Sequence, residues 1–134
     1  MRPSRYCASL CCQDRPFELR IGFSRAARVG PIVTVSGTAP IAPCGTVACP
    51  GDVYGQTRRC LEIIAQAVAD PGLSLETVVR TRIMLTVISN WEAAARAHGE
   101  FFAAVRPAST FVEVKGFIDA EWLVKVEADC VAES

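Results

Sequence analysis

The chain has 134 residues, fourteen basic and fourteen acidic side chains that cancel, 51% hydrophobic residues and a mean hydropathy of +0.28. That length suits one domain with a real core, and the balanced charge argues against nucleic acid held by electrostatics as a partner. No apolar run reaches the roughly 18–20 residues that span a bilayer, so no membrane partner is expected, and the apolar surplus predicts a homo-oligomer.

Residues 1–16, MRPSRYCASLCCQDRP, lack periodicity and read as a flexible N-terminal tail ahead of a domain over 17–134. Their apolar run is too brief and too cysteine-rich for a secretory signal, which implies a cytoplasmic protein. Seven cysteines make an odd count. Cys7, Cys11 and Cys12 lie close together, but no Cys/His pair with finger or ribbon spacing follows. Free thiols in a reducing compartment are therefore expected, with no metal and no organic cofactor.

From Gly22 to Val29, Phe23, Arg25, Ala27 and Val29 alternate against Ser24, Ala26 and Arg28, predicting a first strand. Gly30-Pro31 turns the chain into a second strand beginning Ile32–Val35, and the two make a hairpin. The stretch 38–51, TAPIAPCGTVACPG, is a Pro- and Gly-rich loop with a short strand expected at Thr46–Ala48. Asp52 is placed to cap a helix in which Val53, Thr57, Cys60, Leu61, Ile64, Ala67 and Val68 recur at three- and four-residue spacing. Pro71-Gly72 stops it.

Leu75–Val78 reads as a helical lead-in to a strand over Val79–Ile88, with Val79, Thr81, Ile83, Leu85 and Val87 on one side and Arg80, Arg82, Met84 and Thr86 on the other. Ser89-Asn90 is placed to cap a second helix whose apolar face holds Trp91, Ala94, Ala95, His98, Phe101 and Phe102. Residues 106–131, RPASTFVEVKGFIDAEWLVKVEADCV, then give a strand over Ser109–Val114, a Lys115-Gly116 turn and a last strand over Leu123–Val131. The fold class is α+β: one mixed sheet covered on one face by two helices, its other face largely apolar.

That closing stretch, with Ala27-Arg28-Val29-Gly30 and Ser36-Gly37, resembles the RidA/YjgF family over roughly residues 17–132. The resemblance implies a chorismate-mutase-like fold and a homotrimer with three pockets at the subunit boundaries. It also implies hydrolysis of the C–N bond of an imine, an enamine or a related small acid. In such proteins an arginine opening the penultimate strand clamps the substrate carboxylate, a glutamate of the last strand handles water, and a tyrosine lines the neighbour's side.

Here Ser109 stands at the arginine position, Lys125 at the glutamate position and Phe23 at the tyrosine position. Losing the charge-assisted clamp costs about 2–4 kcal/mol at the transition state, so 2-iminoacid deaminase activity is expected to be weak or absent. Ser109, Phe111, Lys125, Phe23, Arg25, Glu113 and Gly37 are the candidate substrate-binding residues for a small organic acid or imine. The alternative is a non-catalytic trimer binding a metabolite or a protein. His98, the single histidine, reads as a packed helix residue.

Overall fold

Gly30 sits at φ 59°, a conformation open to glycine at little cost, and with Pro31 it closes the first hairpin. The structure is a computed structural model that describes residues 6–7, 18–70 and 72–132. Its strands are β1 (Tyr6–Cys7), β2 (Ala26–Val29), β3 (Ile32–Thr38), β4 (Val78–Leu85), β5 (Ala108–Glu113) and β6 (Val124–Val131), and its α-helices are α1 (Val53–Ala69) and α2 (Trp91–Phe102). The sheet order is β1-β2-β3-β6-β4-β5; β4 and β5 run parallel and the other neighbours antiparallel. Within the stretch expected to be a loose tail, Tyr6 and Cys7 pair with Arg28 and Ala27. Cys11 and Cys12 lie outside the described residues, as does Pro71.

One face of the sheet is dry. Val33 and Val35 of β3, Thr81, Ile83 and Leu85 of β4 and Val124, Val126, Ala128 and Cys130 of β6 are buried beneath Cys60, Leu61, Ile64, Ala67 and Val68 of α1 and Ala94 and Phe102 of α2. Alternation along each strand sends the other residues to the opposite face. That face is not largely apolar as expected. Its β6 residues are Lys125, Glu127 and Asp129, paired in register with Met84, Arg82 and Arg80 of β4, and Arg82 forms an ion pair with Glu127. The apolar part is confined to one end, where Val29, Ile32 and Val131 are successive cross-strand neighbours and all exposed.

Several local expectations are corrected. Val79 does not share the inner face of Thr81, because a bulge between Val78 and Arg80 turns Val78 inward and leaves Val79 exposed. Trp91 is exposed and Ala97 is buried instead. The alanines of this helix give two neighbouring arcs almost the same hydrophobicity, so periodicity identified the helix but not its rotation. Thr46–Ala48 is a single bridge, Ile41 to Val47, rather than a strand.

Asp52 occupies the N-cap position of α1 without a side-chain cap bond, and neither Ser89 nor Asn90 caps α2. The Glu113 carboxylate from β5 instead holds the 3-10 turn Ile88–Asn90 that precedes α2, accepting the Ile88 N–H at 2.9 Å. Tyr54 and Arg58 of α1 both bond Glu100 of α2, pinning the helices across their outer surface.

Candidate functional site

Lys125 leaves β6 on the face away from the helices, and its side chain lies along Gly37. A Cβ at position 37 would stand 3.6 Å from Lys125 Cε and 3.7 Å from Nζ, ordinary contact distances, so the lysine side chain packs directly over this residue. The ammonium lies 5.3 Å from the Trp122 ring centroid and 6.0 Å from that of Phe117. Neither aromatic stood out in the sequence; two rings in the loop that leads into the strand carrying Lys125 were the available signal.

The loop holding Trp122 is anchored to α1. Gln56 is fully buried; its amide nitrogen donates to the Glu121 carbonyl at 3.1 Å, and its amide oxygen accepts the Leu123 N–H at 2.9 Å. A buried glutamine in the helix stripe is thus the bracket that positions the loop carrying Trp122.

Arg25 is only 5% exposed. It precedes β2, where its carbonyl accepts the Ser36 N–H, and its Nη1 donates to Thr38 Oγ1 at 2.8 Å. A bulge in β3 between Val35 and Thr38 displaces this part of the strand. Thr38 pairs with the core residue Val126 and is fully buried, so Arg25 meets the helix-side face, while Lys125 and Gly37 lie on the other.

Ser109 and Phe111 are elsewhere. Ser109 pairs with Thr81 in the β4–β5 register and shares its helix-side face, where the Thr81 hydroxyl bridges Ser109 Oγ at 2.6 Å and His98 Nε2 at 2.8 Å. Phe111 presents its ring to the His98 imidazole, 6.0 Å between centroids. Within one chain Ser109 and Lys125 thus stand on opposite faces of the sheet. Glu113 shares the Ser109 side and is occupied at Ile88, and Phe23 is exposed. Of the seven candidate residues, the fold brings Gly37 and Lys125 together, turns Arg25 to Thr38 on the helix side, and places Ser109 and Phe111 around His98.

Burial holds the His98 pKa below the usual 6.5. Above pH 6.5 both folded and unfolded chains carry a neutral imidazole. As the pH falls below 6.5 the unfolded chain takes up the proton first, so stability is lost until the folded-state pKa is passed. Urea unfolding between pH 7.5 and 5 is expected to show this decline, and His98→Gln to flatten it; an unchanged slope in the variant would assign the decline to other groups. Burial also pushes the Cys60 thiol well up, leaving it an inert packed group. Among the described residues no group of three or more His, Cys, Asp or Glu side chains is placed to hold a metal.

The profile of the family described as Endoribonuclease L-PSP matches residues 14–133. An uncharacterised protein of Streptomyces coelicolor, SCO2049, is 40% identical over 114 residues, covering 85% of this chain and 84% of its own. A RutC family protein of Pyrococcus abyssi is 30% identical over 106 residues, 79% of this chain and 83% of its own. The crystal structure of Rv2704 from Mycobacterium tuberculosis, a member of the YjgF/YER057c/UK114 family, superposes with a TM-score of 0.83 at 37% identity, covering 96% of this chain and all of that one. On this sequence match and this fold, the chain belongs to the Endoribonuclease L-PSP family, the RidA/YjgF group.

Proposed function

We propose that this RidA/YjgF-family protein holds a small organic anion beside Gly37 and Lys125, at the boundary between subunits of a cytoplasmic homotrimer, and that it hydrolyses 2-iminoacids weakly or not at all. The observation that carries the reading is Lys125 itself. Its ammonium lies against a side-chain-free residue and near two aromatic rings, and no ion pair links it to a carboxylate among the described residues. The resemblance to the deaminases puts a water-handling glutamate at this position, and a charged lysine cannot take up a proton in its place. The same replacement suits the lysine to a carboxylate. Ser109 supplies no charge where the deaminases clamp theirs.

Self-association is supported by the exposed Val29, Ile32 and Val131 at one end of the open face, which a second copy would cover. Light scattering is expected to give three times 14.4 kDa, and a single-copy particle at micromolar concentration would end the trimer reading. For the chemistry, iminoacids generated in situ by an amino-acid oxidase are expected to release ketoacid at the buffer rate. Release well above that rate would sink the claim of weak hydrolysis. Small carboxylates are expected to raise the unfolding midpoint of the parent protein and not that of Lys125→Ala.

A further inference from the structure

We propose that Ser109 is a second reactive centre of this chain, a nucleophile toward small activated esters, with His98 as its base and the Thr81 hydroxyl between them. The centre lies on the other face of the sheet from Lys125 and stands independently of the anion site there. Thr81 Oγ1 is 2.6 Å from Ser109 Oγ and 2.8 Å from His98 Nε2, and Ser109 Oγ is 3.4 Å from that nitrogen directly. Thr81 is fully buried, His98 is half-buried and Ser109 is exposed, so the three polar groups lead from the core out to solvent. The rings of Phe102 and Phe111 flank the imidazole, with centroids 4.7 Å and 6.0 Å away, and limit its rotation.

A serine hydroxyl is a weak nucleophile until a base within reach takes its proton. With the ring proton on Nδ1, His98 Nε2 accepts from Thr81, whose oxygen accepts from Ser109, one proton to each bond. As Ser109 Oγ bonds to an ester carbonyl carbon, its proton passes to Thr81 Oγ1 while the Thr81 proton passes to Nε2. Collapse of the tetrahedral adduct breaks the ester C–O bond, and the proton returns from the imidazolium by way of Thr81 to the departing oxygen. Water repeats the sequence on the acyl-serine, so ester and water give alcohol and acid. The backbone supplies donors for the oxyanion. β5 is an edge strand of the sheet, and the Val114 N–H just beyond it donates to the Leu85 carbonyl of β4 at 2.8 Å. Backbone groups alternate in direction along a strand, so the N–H groups of Ser109 and Phe111 point outward from the open edge, beside the nucleophile.

Treatment of the full chain with phenylmethylsulfonyl fluoride, followed by peptide mass mapping, and with p-nitrophenyl acetate, followed by nitrophenol release, tests this. The sulfonyl adduct is expected on Ser109, and nitrophenol release is expected above the level given by Ser109→Ala, a change at an exposed position that leaves the fold intact. His98→Gln is expected to slow the reaction at Ser109 by about a hundredfold, the range for loss of a general base, and Thr81→Val by about tenfold or more. Should His98→Gln fail to fold, Thr81→Val reads the same dependence. A parent protein unmodified at Ser109, or modified only on lysines and cysteines, overturns the proposal without any variant. Modification of Ser109 at the parent rate in His98→Gln or Thr81→Val overturns it too, since the serine would then be reacting without the imidazole.

Discussion

Phe102→Ala is expected to lower stability by about 3–5 kcal/mol, the range for emptying a buried aromatic site. Phe102 closes α2 with 2% of its surface exposed, packs in the core and stacks on His98 with ring centroids 4.7 Å apart. Truncation therefore opens a cavity between α2 and the sheet and lets water reach the imidazole. At about 3 °C per kcal/mol for a chain of this size, the midpoint should fall by roughly 10–15 °C. The His98 pKa should rise toward its ordinary value at the same time, since burial is what depresses it. Calorimetry and an NMR titration of the imidazole read the two effects. A midpoint shift under 3 °C would mean that α2 does not pack as described. Glu92→Ala, on the exposed side of the same helix, is the control and should stay within about 0.5 kcal/mol.

Gln56→Ala is expected to cost about 2–4 kcal/mol, because the variant strands the Leu123 N–H and the Glu121 carbonyl that the amide serves. Its effect on ligand should exceed its effect on fold, since the loop it brackets carries Trp122, whose ring lies near the Lys125 ammonium. Gln56→Glu separates the two bonds: the carboxylate still accepts the Leu123 N–H but has no proton for the Glu121 carbonyl. It should be destabilising, with carboxylate affinity reduced less than in the alanine variant. If Gln56→Ala kept the parent affinity for small carboxylates, Trp122 would have no part in holding them.

The Lys125 and Ser109 positions show where reading in one dimension stops. Alternation places Ser109, Phe111 and Glu113 on one face of β5, and it does so correctly. It does not say that this face is the one under α2 while Lys125 faces the other way, because that relation passes through the registers of β4 with both neighbours. Glu113 was a candidate for ligand and proved to hold the turn ahead of α2 through the Ile88 N–H. Such a bond joins residues 25 positions apart and has no local signature. Arg25 was a ligand candidate on a strand expected to alternate from Gly22, but β2 starts only at Ala26, and the guanidinium turns toward Thr38.

What the sequence determined by itself was the order of the two helices and the strands β2 to β6 and the two-helices-on-a-sheet class, because hydrophobic periods of two and 3.6 and turn residues are local properties, and the family resemblance rested on the motifs of its closing stretch. The tertiary structure alone decided which candidate residues meet. Two β-bulges, at Val79 and before Thr38, and the pairing registers set the facing of every later side chain. A shift of one residue in register exchanges the two faces of a strand, and that choice is made by packing between distant segments rather than by any segment's own composition.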